Sequence, residues 1–151
     1  MILDSTLQFS AAQQLLTNAA SDNIVDLLNA RDLGIGDSPA VQVIASINTA
    51  FATTNSGTLQ VQFQGSTDSS TWTTYAETPA IAQSVLTAGR QLAGFDVPRP
   101  GPGVALPRYY RLNYVVGTGT FTAGKVDAWL GIGRHDHVTY AKNYDSSYPT
   151  P

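Results

Sequence analysis

Hydrophobic and polar positions alternate over much of this chain. Across residues 58–77, TLQVQFQGSTDSSTWTTYAE, Leu59, Val61 and Phe63 are interleaved with Gln60, Gln62 and Gln64. Successive strand side chains point to opposite faces, so one face of this segment is apolar and the other polar but uncharged. Residues 65–70 supply turn formers before residues 72–75 return to a β-rich composition, which predicts a hairpin. The same period recurs at residues 41–47, where Val41, Val43, Ala45 and Ile47 face away from Gln42, Ile44 and Ser46. It recurs again at residues 109–116, with Tyr110, Leu112, Tyr114 and Val116 on one side and Arg111 and Asn113 on the other. Residues 91–97 form a further predicted strand. In the last one, residues 126–132, Val126, Ala128, Leu130 and Ile132 share a face and Trp129 points the other way, onto a face that is either covered or open to a partner.

Residues 10–30 are ambiguous. Ala, Gln and Leu favour a helix, but residues 17–18 and 21–23 interrupt it with turn formers, and two short strands near residues 13–17 and 24–28 are the preferred reading. Residues 31–39 and 84–89 read as loop and turn. The proline-rich residues 98–107, PRPGPGVALP, form a stiff extended loop. After Gly133 the alternation stops, and a polar tail follows with Tyr140, Tyr144 and Tyr148 four residues apart. Roughly eight strands at short intervals with Gly/Ser/Thr turns predict an all-β, antiparallel jelly-roll β-sandwich over residues 1–133, followed by the tail at 134–151.

Composition narrows the function. With 151 residues the chain suits one domain. Charged residues make up only 13%, about half the usual share, and Glu77 is the single glutamate. A net charge of -3 argues against nucleic-acid binding, which needs clustered cations. The arginines Arg90, Arg99, Arg108 and Arg111 do fall close together in sequence, with only Asp96 among them. There is no cysteine, hence no disulfide and no thiolate metal site. The opening residues lack a basic region followed by an apolar one, and no run of 18 apolar residues occurs. The expectation is a protein made and used in solution, without a membrane partner.

Chemistry-bearing motifs are weak. Residues 119–125, GTFTAGK, have the glycine and lysine spacing of a phosphate-binding loop, but Val126 stands where a magnesium-binding hydroxyl belongs, and a strand pattern follows in place of a helix. A hairpin turn is the better reading. His135 and His137 could share one side of an extended segment, yet no third ligand is committed nearby. No nucleophile elbow occurs, and most of the ten aspartates, including Asp22, Asp32, Asp37 and Asp68, adjoin turn formers. The expectation is therefore a non-enzyme without cofactor or metal. The remaining candidates are surfaces rich in arginine and aromatics, the residue types enriched in interface hot spots: the Arg99 loop with Arg108 and Arg111, Trp129, the tail tyrosines Tyr140, Tyr144 and Tyr148, and the glutamine-lined strand.

The segments MILDSTLQFSAAQ, ARDLGIGDSPAVQVIAS and LPRYYRLNYVVGTGTFTAGKVDAWLGIG resemble the jelly-roll capsid cement (decoration) proteins of tailed bacteriophages. The resemblance covers most of residues 1–133; the tail departs from it. It implies a non-enzymatic virion protein, made in the host cytoplasm, that self-associates as a homodimer or homotrimer and binds the major capsid protein on the outer surface of the head across subunit seams. The alternative is a carbohydrate-binding or fibre-attachment module of a virion. A sugar binder would present Trp72, Tyr75, Tyr109 or Tyr110 as an exposed platform.

Overall fold

In a computed structural model, the described residues are 4–31, 33, 41–98 and 101–132. The predicted alternation becomes ten antiparallel strands: β1 (Gln8–Gln14), β2 (Ala19–Ala20), β3 (Val25–Asp26), β4 (Val41–Thr53), β5 (Thr58–Ser66), β6 (Thr73–Glu77), β7 (Ile81–Ala82), β8 (Gln91–Asp96), β9 (Tyr109–Gly117) and β10 (Phe121–Ile132). One sheet has the order β1-β10-β4-β8 and the other β2-β9-β5-β6, with β3 also on β9 and β7 also on β5. β2 and β3 pair with successive stretches of β9, at Tyr114 to Asn113 and at Tyr110 to Tyr109, so they are one interrupted edge strand. β6 and β7 divide the opposite edge along β5 in the same way. Counted so, the frame has eight strand positions in two four-stranded antiparallel sheets, the arrangement of a jelly roll.

The strand faces match the sequence pattern. Leu59, Val61 and Phe63 of β5 and Leu112 and Tyr114 of β9 are fully buried against Val43, Ala45, Val126 and Ala128 of the facing sheet. Phe63 is the hub, stacked on Tyr110 at 5.2 Å and met edge-on by Phe9 and Phe95, each at 6.3 Å. One polar chain crosses this core: the Tyr114 hydroxyl lies 2.8 Å from Ser10 Oγ, and Ser10 Oγ donates to Gln13 Oε1 at 2.6 Å. Burial pushes the Tyr114 hydroxyl well above the ordinary tyrosine pKa.

Several boundaries differ from the sequence reading. Residues 10–30 form no helix; the first strand runs over Gln8–Gln14, earlier than expected, with Phe9, Ser10 and Gln13 as its buried positions. β4 and β10 are longer than predicted, and bulges reset their register where the alternation fails. Residues 121–125 belong to β10, so the turn of the GTFTAGK segment closes within residues 118–120. Gly124, at φ +146, lies inside that strand against the Phe51 ring, with no helix to receive a phosphate.

The connections segregate to two ends. Residues 15–18, 54–57 and 118–120 gather at one end, where β4 meets β5 and β9 meets β10. Residues 27–31, 67–72, 97–98 and 101–108, together with the end of β10, gather at the other.

Candidate interaction surfaces

At the second of these ends the sequence brings cations and aromatics onto sheet termini. Arg108 directly precedes β9, and its guanidinium donates through Nε to Asp26 Oδ1 at 2.7 Å and through Nη2 to Oδ2 at 2.8 Å. This two-pronged pairing depresses the Asp26 pKa and raises that of Arg108. The same guanidinium lies 4.7 Å from the Tyr109 ring centre. Arg111, on the outer face of β9, lies 4.1 Å over the ring of Trp72 and donates to Gln64 Oε1 at 2.9 Å. Partial burial of Arg111 lowers its pKa. Trp72 reaches it because residues 67–72 form a tight turn organised by Asp68, whose carboxylate accepts from the backbone N–H groups of Ser70 and Thr71 and from the Ser66 and Ser70 hydroxyls. Those donors hold the Asp68 carboxyl far below the usual range.

The glutamine-lined face of β5 is a closed polar ladder. Gln62 Oε1 accepts from Asn113 at 2.9 Å and from Gln64 at 3.4 Å, Gln62 donates to Glu77 at 3.1 Å, and Gln64 donates to Thr74 at 3.1 Å. These amides satisfy one another, which makes the face stiff and leaves few groups for a polar ligand. The aromatic platform of a sugar binder is not assembled: Tyr110 is a core residue, Tyr75 packs over Gly65, and a guanidinium stands over both Trp72 and Tyr109.

Trp129 is on the outer face of the other sheet, half-buried. It pairs across with Gln8 and Ile44, and a side chain at Gly131 would touch Trp129 Cδ1 and Ile44 Cδ1, each at 3.5 Å. The bare glycine lets both neighbours settle over it, which explains why Ile44 is only 8% exposed on a nominally polar face. The face is thus partly covered from within.

Of the sequence candidates, Arg108 and Arg111 share the second end, with Trp129 three residues from it. Arg90 does not join them: it lies before β8, its carbonyl bonded to the Ile47 N–H, on the other sheet. Arg99, Tyr140, Tyr144, Tyr148 and the histidine pair lie outside the described residues, as does the tail as a whole. Two residues were missed from sequence, Asp26 and Leu28. Asp26 lies within the strand expected near residues 24–28, where no local pattern marks it, and only the topology brings it to Arg108, 82 positions away.

At the opposite end a shallow depression of about 320 Å³ is lined by Thr17, Asn18, Val116, Gly119 and Thr120, none of them ionisable. Among the described residues no group of three or more His, Cys, Asp or Glu side chains is placed to hold a metal ion. No described helix is long and apolar enough to cross a membrane.

Frame and surfaces together describe a jelly-roll sandwich whose ionic and aromatic features sit on sheet faces and loop tips. The model of the Bbp16 family matches residues 9–130, and the chain belongs to that family, which is associated with bacteriophages. Among curated proteins no match to the chain was found.

Proposed function

We propose that this protein is a capsid cement protein: it binds the outer surface of the assembled phage head across seams between major capsid subunits and stabilises the shell without chemistry. The observation that carries the reading is that the phage-associated family match runs from β1 into β10, over the whole sandwich. The jelly-roll resemblance of the N-terminal and β9–β10 segments supports it, as does the uneven surface. Arg108, Arg111, Trp72 and Leu28 gather at one end, while the connections at the other carry no charge and consist of Thr, Asn, Ser and Gly with Leu15 and the partly exposed Leu16. A rigid block with one adhesive end suits a clasp.

The mechanism is differential binding. A ligand with higher affinity for the expanded lattice than for free or immature subunits stabilises that lattice by its difference in affinity, and a homodimer or homotrimer touching several subunits adds avidity. No cofactor and no turnover are required. Co-sedimentation of the purified protein with expanded and unexpanded heads tests this. Saturable binding to expanded heads, with weaker binding to unexpanded ones, is the expected result; no binding to either would refute it. A carbohydrate-binding role is the less favoured reading, because Tyr110 is buried, Trp72 and Tyr109 lie under arginines and Tyr75 packs over Gly65.

A further inference from the structure

Five described non-glycine residues adopt positive φ. Four are small or polar and sit where the chain must turn or bulge: Ser56 and Thr118 in the turns that cross between the two sheets, Ser69 in the Asp68 turn, and Ala12 in the β1 bulge, its N–H bonded to Asp127. The fifth is Leu28, at φ +64, a conformation that disfavours a bulky side chain. Its side chain is nevertheless 70% exposed, so core packing does not account for leucine here. An unfavourable backbone state persists where its surroundings enforce it, and such sites cluster at ligand contacts.

The surroundings do enforce it. The Leu28 N–H donates to Asp26 Oδ1 at 2.8 Å, and the same carboxylate is clamped by Arg108. The preceding Leu27 is buried and its N–H donates to the Arg108 carbonyl at 3.0 Å. On the other side Arg31 Nη2 donates to the Leu27 carbonyl at 2.8 Å. The backbone of the Leu27–Leu28 step is therefore fixed from several directions, and the leucine side chain projects into solvent from that fixed point. Ile132, 60% exposed, and Val104, 50% exposed, belong to the same end of the sandwich. With Leu28 they are the three most exposed large hydrophobics among the described residues.

We infer that Leu28 is an anchor that inserts into an apolar socket on a phage-head protein, with a carboxylate beside the socket meeting Arg31. The identity of the partner rests on the cement reading; the chemistry of the socket rests on the projecting leucine. Arg31 sets the second half: it is exposed, held against the Leu27 peptide, and paired with no carboxylate among the described residues. Because the backbone that carries it is already ordered, docking costs no loop ordering here, so more of the leucine's burial appears as affinity.

The test uses the full chain and purified expanded heads that lack it, with Leu28→Asn and Leu28→Met beside the wild type. Asparagine accepts positive φ readily, so Leu28→Asn should keep or raise the Tm while weakening head binding about tenfold or more, the worth of burying one leucine side chain. Leu28→Met, still apolar and of similar size, should bind well. Arg31→Ala should weaken binding and make the remainder less sensitive to salt. Equal binding by wild type and Leu28→Asn overturns the anchor and leaves the cement reading intact. Failure of the wild type to bind overturns both. A lowered Tm for Leu28→Asn would show that the fold itself requires leucine, and overturns the anchor as well.

Discussion

Replacing Gly124 with alanine probes the packing that closes the sandwich. Gly124 sits in β10 at φ +146, and a Cβ built there would stand 2.5 Å from Cε1 and 2.6 Å from Cγ of Phe51. Phe51 is 2% exposed and meets Phe121 edge-on at 4.7 Å, so its ring has no free space into which to retreat. Two costs add. Holding alanine in a backbone region it rarely adopts costs about 1–3 kcal/mol, and forcing a methyl into a filled core costs about 1–3 kcal/mol more. The sum is about 4 kcal/mol, a Tm drop of roughly 8–16 °C for a chain of this size. Phe51→Ala opens a cavity at a cost of about 3–5 kcal/mol. In that background Gly124→Ala should lose only its backbone part, about 2 kcal/mol, which leaves a coupling of about 2 kcal/mol between the sites. Urea unfolding of the four proteins in this cycle measures both terms. Equal costs of Gly124→Ala in the two backgrounds, or a cost below about 1 kcal/mol in the wild type, would refute the reasoning. The phosphate-loop reading of residues 119–125 expects something else, an effect on nucleotide binding with folding untouched.

Three further outcomes follow from the described contacts. Tyr114→Phe removes the hydroxyl that joins the two sheets through Ser10 and should cost about 1 kcal/mol, or roughly 3 °C in Tm by calorimetry, with the fold unchanged. Asp68→Asn should flatten the acid limb of the Tm profile. The native carboxyl titrates well below its unfolded value near 3.9, so its contribution is present above about pH 4 and is lost as pH falls toward the native value. Tm measured from pH 6 to pH 2 for both proteins checks this, and parallel profiles would contradict it. Arg111→Ala uncovers Trp72 and frees the Gln64 oxygen, and should shift the tryptophan emission to longer wavelength and cost about 1 kcal/mol, whereas Arg31→Ala should leave the emission unchanged.

The inner faces were legible in the sequence because period-two alternation is a direct record of which side is buried. Leu59, Val61 and Phe63 and the Leu112–Tyr114 pair needed nothing else. The interrupted edge strands were harder: Ala19–Ala20 and Ile81–Ala82 are too short to show a period, and Gln, Asn and Ala in residues 10–30 carry conflicting propensities that long-range pairing decides. The bulges in β4 and β10 broke the alternation where the strands continue, so residues 121–125 looked like a turn. Ile44 was read as outward, which it is; its burial depends on Gly131 two strand positions from Trp129, a relation between strands that no local pattern carries. The surface candidates were legible only as residue types. That Arg108 and Arg111 share an end with Asp26 and Leu28, while Arg90 belongs elsewhere, follows from the topology and not from their spacing.

The central claim is that this jelly roll holds a phage shell together by recognising its assembled form. Quantitative sedimentation of the full chain against expanded heads, with particle stability to heat or osmotic shock followed at increasing occupancy, measures it most directly. The account predicts saturable binding at a fixed ratio to capsid subunits and a rupture threshold that rises with occupancy. Saturable binding with an unchanged threshold, or no binding at all, would contradict it.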